Sequence, residues 1–133
     1  MKIDGKSFRS IWLADDGWSV HIFDQTRLPH EIVVLRLTTV GAVAHAIKSM
    51  QTRGAPLIGA CAAYGLALAL HDDPSDGSLA RNYETLLATR PTAINLRWAL
   101  DAMRATLQPL APGARAAAAY AKAQAICDED VAI

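Results

Sequence analysis

Cysteine is scarce in this chain of 133 residues: Cys61 and Cys127 lie far apart, with no C-x-x-C spacing. That excludes a disulfide framework and a zinc ribbon, and makes a reducing, cytoplasmic compartment the expectation. Excess charge of either sign is also missing, since 13 basic residues face 13 acidic ones and the formal net charge is +0. Such a chain has no long-range pull toward nucleic acid or an anionic membrane, so recognition of an anion must rest on individual arginines. The longest apolar run, Pro56 to Leu70, falls short of the ~20 residues that span a bilayer. The first residues, MKIDGKSFRSIWL, alternate polar and apolar types without the apolar stretch of a signal peptide. No G-x-G-x-x-G, Walker loop or G-x-S-x-G occurs, which leaves nucleotide binding and serine hydrolysis without support.

The histidines add no metal site. His21, His30, His45 and His71 lack ligand spacing, and HEIVV from His30 has no second histidine of the H-E-x-x-H type. Cys61 falls among small apolar residues and reads as a packed hydrophobe. Cys127 precedes Asp-Glu-Asp, whose charge opposes a thiolate. Asp15, Asp16, Asp72, Asp73 and the acidic residues from Asp128 to Asp130 fall in turns or near a helix end, where carboxylates serve local purposes.

Hydrophobic residues make up 52% of the chain against 20% charged, which fits a globular fold and excludes a disordered one. A chain of this length buries roughly two thirds of its unfolded surface, enough for one domain. Residues 7–13 and 18–24 are rich in β-branched and aromatic types around an Asp-Gly turn, predicting a hairpin. IVVLRLTT, residues 32–39, predicts a third strand with Ile32, Val34 and Arg36 on one face and Val33, Leu35 and Leu37 on the other.

Beyond residue 39 the pattern is helical. Thr39 is placed to cap a helix through VGAVAHAIKSMQ, and a second helix is expected from Pro56 to Leu70, with proline in its first turn and HDDPSDG closing it. Gly59, Gly65 and five alanines on this second helix leave it apolar all round, so it must be central. Further helices are predicted over 79–88 and 92–107, the latter with Ile94, Leu96, Trp98, Leu100, Met103 and Leu107 as its apolar set, and over the alanine-rich 114–133. That last segment reaches Ile133 with no glycine, asparagine or proline to end it, so the expectation is a piece of a longer protein. The predicted fold is α+β: an antiparallel β portion over 1–39, then about five helices over 40–133, in a single domain.

Two short segments point to chemistry. In TRGAP, Gly54 lets the backbone approach a ligand, Arg53 supplies a fork of donors suited to phosphate, and a helix begins at Pro56. In TRPTA, Arg90 precedes a helix expected to start near Thr92, whose hydroxyl can cap it. The first N–H groups of a helix lack internal partners and carry partial positive charge. A lone arginine there is usually a solvated loop residue that the dipole disfavours. Two such pairs, each beside a helix start, make better sense with an anion between.

DQTRLPHE, MQTRGAPLIGACAAYGLALAL, TRPTAINLRWALDAM and AQAICDEDVAI, in that order, resemble the N-terminal portion of the methylthioribose-1-phosphate isomerases. Their superfamily includes ribose-1,5-bisphosphate isomerase and regulatory subunits of the eukaryotic translation-initiation exchange factor. The resemblance covers essentially the whole chain. It implies a homodimeric, cofactor-independent enzyme with a Rossmann-like C-terminal domain carrying the catalytic cysteine and aspartate beyond Ile133. It also implies that Arg53, Gly54, Ala55 and Arg90 contact a sugar phosphate. Neither Cys61 nor Cys127 corresponds to the family's cysteine, and no catalytic residue is expected in this chain. The alternatives are a non-catalytic regulatory or assembly module of the superfamily, or a bisphosphate isomerase. Trp12 and Trp18 would suit a methylthio group at C5.

Overall fold

The computed structural model describes residues 2–3, 6–7, 11–23, 33–49, 55–90 and 92–130, with side chains over 11–23, 33–49, 58–90 and 92–127. These form an α+β arrangement. A short antiparallel ladder joins β1, Lys2–Ile3, to β2, Lys6–Ser7. A separate antiparallel sheet of order β3-β4-β5 comprises Ile11–Leu13, Val20–Phe23 and Val34–Leu37. Of the strand predicted over 7–13, Ser7 pairs with Lys2 and Ile11–Leu13 pairs with β4, while residues 8–10 lie outside the described residues.

The hairpin turn follows from its residues. Gly17 adopts φ 82, a left-handed conformation that glycine enters without a Cβ penalty. Asp16 then folds its carboxylate back on the loop, where Oδ1 accepts from the N–H groups of Trp18 at 3.0 Å and Ser19 at 2.9 Å. Oδ2 accepts from the Ser19 hydroxyl at 2.6 Å and from Arg36 at 2.9 Å. Alternation along β5 holds as expected, with Leu37 buried and Val34 and Arg36 outward. The strand is shorter than predicted because Thr39 leaves it to cap the first helix.

That helix, α1, runs Val40–Lys48, and the Thr39 side chain accepts from the Ala42 N–H. It stops at Ser49, before the predicted Gln51. The second helix, α2, is Ala55–Asp72, and every residue from Ile58 to Leu70 is buried. It touches all four other helices and β3, the central position its composition demanded. Small side chains allow the closeness: a Cβ placed on Gly65 would come within 2.9 Å of Val43 Cγ1 and 3.1 Å of Leu86 Cδ1.

The third helix, α3, spans Asp76–Leu87 and starts before the predicted residue 79, because the Ser75 hydroxyl accepts from the Ser78 N–H while Asp76 occupies the first turn. Ser75 turns what reads as a closing loop into a helix start. Helix α4, Ile94–Leu107, buries Leu96, Ala99, Leu100, Met103 and Leu107. Ile94 and Trp98, counted with its apolar set in the sequence, point outward at 82% and 48% exposure. Tyr83 of α3 donates to Asp101 of α4, and Arg104 lies 4.2 Å over the Tyr83 ring.

Helix α5, Pro112–Asp130, begins two residues before the predicted 114, with proline at its first position. One turn in, Arg115 is 2% exposed and spends its guanidinium on main-chain oxygens: Leu107 through Nε, Pro74 through Nη1 and Gln108 through Nη2, each at 3.0 Å. Its Nη2 also pairs with Asp76, whose carboxylate faces solvent. This buried cation, which nothing in the alanine-rich stretch announces, closes the C-terminal end of α4.

Candidate functional site

The elements that would bear the two Thr-Arg segments meet at one end of the bundle. Ala55 is the first residue of α2 and Ile94 the first of α4. These two beginnings are adjacent, since a Cβ on Gly59 would stand 2.9 Å from the Asn95 main-chain oxygen. Arg53 and Gly54 lie outside the described residues, as does the side chain of Ala55.

Arg90 is half-buried, and its Nε donates to the Ile47 main-chain oxygen in the last turn of α1 at 3.4 Å. The carbonyls ending a helix carry partial negative charge, so they attract a cation. This gives Arg90 a local partner and weakens the argument that its place beside a helix start by itself demands an anion. Among the described residues Ile47 is its one hydrogen-bond partner and the terminal NH2 groups have none, and a guanidinium fork suits a bidentate acceptor.

The start of α4 is open too. Ala93 occupies the cap position with no side-chain hydrogen bond, whereas α1 and α3 are closed by Thr39 and Ser75. The predicted cap by Thr92 is therefore corrected: Thr92 is exposed and one position too early, because the Ala93 N–H turns back to the Arg90 oxygen at 3.0 Å. An uncapped first turn leaves its N–H groups available to an anion or to water.

A cleft of about 560 Å³ lies at the other end of α2, where Trp18, Thr39, His71, Asp73, Arg81 and Asn82 line it. Eighteen residues at 1.5 Å per residue set the two ends of α2 about 26 Å apart. Trp18 belongs to that far end, stacked on His71 at 5.0 Å with Arg36 over its ring at 5.4 Å. Trp12 packs on His21 and Phe23 of the hairpin. The structure thus gives both tryptophans packing roles and separates Trp18 from the Arg90 end by the length of a helix. Asp73 accepts from the Ser75 N–H at 3.1 Å, which with the Ser75 hydroxyl holds its carboxyl below the usual range.

Cys61 packs as the sequence reading expected. Cys61 is fully buried in α2, and burial pushes its thiol up to about 12. Cys127 is buried in α5. Among the described residues no group of three histidines, cysteines or carboxylates could hold a metal ion, and no helix is long and apolar enough to cross a membrane.

No protein-family model matches the chain. It is 61% identical over 133 residues to an uncharacterized protein of the petC 3' region of Rhodospirillum rubrum, of which it spans 72%. It is also 61% identical over 133 residues to a methylthioribose-1-phosphate isomerase of R. rubrum, of which it spans 34%, and 62% identical to that of Acidiphilium cryptum, of which it spans 36%. The chain spans about a third of the length of these curated isomerases. Among solved structures, 5-methylthioribose 1-phosphate isomerase from Pyrococcus horikoshii superposes with TM-score 0.84 at 35% identity, over 93% of this chain and 37% of that one. The delta subunit of translation initiation factor eIF-2B from A. fulgidus gives 0.83 at 32% identity, over 93% and 38%.

Proposed function

We infer, since this chain belongs to the methylthioribose-1-phosphate isomerase family as its N-terminal portion, that it supplies part of a sugar-phosphate grip. The reaction is the cofactor-independent conversion of 5-methylthioribose 1-phosphate to 5-methylthioribulose 1-phosphate, an aldose-ketose step of methionine salvage. The substrate is a glycosyl phosphate with no free anomeric hydroxyl. Its furanose ring must open with help from an acid, and hydrogen must move between C2 and C1 while the phosphate stays held.

Arg53, Gly54, Ala55 and Arg90 are the holding residues in this reading. The observation that carries it is the convergence of two helix beginnings, one uncapped, beside an arginine whose terminal NH2 groups have no partner among the described residues. Donors at two helix starts and a guanidinium fork complement a phosphate in charge and in geometry. The catalytic cysteine and aspartate belong to a Rossmann-like portion outside this chain. Residues 1–133 act as one N-terminal unit of a cytoplasmic homodimer that has no nucleic-acid or membrane partner.

Fold alone does not separate enzyme from regulatory subunit, because the TM-scores of 0.84 and 0.83 are nearly equal. Identities of 54–62% to proteins named as the isomerase favour the enzyme.

The test is kinetic. A lost bidentate contact to phosphate is worth about 3 kcal/mol, so in a chain of the isomerases' full length Arg90→Ala lowers kcat/KM roughly a hundredfold. Arg53→Ala acts in the same direction. The 133 residues alone have no turnover. Near-wild-type kinetics for Arg90→Ala, or turnover by the 133-residue chain, would overturn the assignment.

A further inference from the structure

Two glycines of α2 sit at crowded places of different kinds. A Cβ on Gly65 would meet the ends of Val43 and Leu86, side chains that can shift by a few tenths of an ångström. A Cβ on Gly59 would stand 2.9 Å from the Asn95 main-chain oxygen, 3.4 Å from the Asn95 carbonyl carbon and 3.5 Å from Ala99 Cβ. Asn95 is the second residue of α4. Its carbonyl cannot rotate aside as a side-chain tip does, so only movement of the helix relieves the contact.

We propose that Gly59 is a positioning residue for the phosphate grip, fixing the separation between the beginnings of α2 and α4. The inference rests on the grip reading above. Going from 2.9 Å to an ordinary 3.4 Å requires a displacement of about 0.5 Å, the scale on which binding constellations lose their geometry. Hydrogen bonds to an anion span only 2.7–3.2 Å. The donors on α2 and those at Arg90 and the first turn of α4 cannot both stay in that range once the helices part. Gly59 touches no ligand in this account. It acts through Asn95, two residues after Ala93, whose N–H turns back on the Arg90 oxygen, hence through the segment that presents Arg90.

The test uses the 133-residue chain, 15N-labelled and titrated with inorganic phosphate and separately with 5-methylthioribose 1-phosphate, following the amides of residues 53–55, 90 and 92–96. The wild type shows saturable shifts there. Gly59→Ala weakens binding about tenfold or more. Gly65→Ala lowers the unfolding midpoint as well, yet keeps its affinity within about twofold, because the Gly65 contacts lie away from α4. Equal affinities for Gly59→Ala and wild type, or equal weakening by Gly65→Ala, would overturn the proposal by making Gly59 irrelevant or merely structural. Absence of saturable shifts in the wild type defeats the grip reading itself, and the inference with it. If Gly59→Ala does not fold, Ala99→Val crowds the same contact from the α4 side: weakened binding supports the proposal, and unchanged affinity overturns it.

Discussion

The Tyr120 hydroxyl donates to the Trp18 main-chain oxygen at 2.6 Å, joining residues 102 apart in sequence and tying α5 to the hairpin loop. Desolvation, aided by the negative charge of Asp16, pushes that hydroxyl up to about 12, so it stays a donor throughout the neutral range. His71 lies between them, stacked on Trp18 and edge-on to Tyr120 at 6.2 Å. The β portion is thereby fastened to the helices by more than its apolar face.

Tyr120→Phe keeps the ring and removes the bond, so it costs about 1 kcal/mol. Urea denaturation followed by circular dichroism checks this. Helix content should be unchanged, and amide exchange should rise at Trp18 and Ser19. A wild-type midpoint with unchanged exchange would mean that the fastening carries no weight.

Acid should loosen the hairpin. The Ser19 hydroxyl, the Trp18 N–H and Arg36 hold the Asp16 carboxyl below the usual carboxylate range. A group depressed in the folded state contributes stability above its unfolded value, about 3.9, and loses it as pH falls through the folded value. Asp16→Asn removes that contribution at neutral pH. Melting curves from pH 7 to pH 2 should show a lower melting temperature for the variant at pH 7 and convergence with wild type in acid.

Arg115→Met should destabilise strongly. Asp76 is exposed and regains water, so the cost comes from the Leu107, Pro74 and Gln108 oxygens that lose their donor. Three oxygens, only partly rehydrated, imply roughly 3 kcal/mol. Equilibrium unfolding measures it, and a loss below about 1 kcal/mol would mean that water replaces the guanidinium freely.

Cys61 should resist iodoacetamide at pH 8 in the folded protein and react once unfolded, because burial both excludes the reagent and keeps the thiol protonated. Mass spectrometry of native and urea-treated samples reads this directly. Rapid native alkylation would contradict the central placement of α2.

Periodicity and punctuation carried much of the architecture. Asp16-Gly17 predicts the hairpin, Thr39 the cap of α1, and the small-residue run after Pro56 the buried helix. Where a reading failed, a single side chain or a helix phase was responsible. Ser75 starts α3 early by capping it, and Thr92 loses the cap of α4 by one residue. Ile94 and Trp98 face outward because a list of apolar residues does not say which arc of the helix meets its neighbours.

The sequence by itself determined which segments are helical and that α2 is central, and it singled out Arg53 and Arg90 as candidates to hold an anion, since spacing and residue type are local properties. Only the tertiary structure decided that the beginnings of α2 and α4 meet across Gly59, that Arg90 rests on the last turn of α1, and that Trp18 belongs to the far end of the bundle. Such relations join residues distant along the chain, and packing alone fixes which surfaces come together.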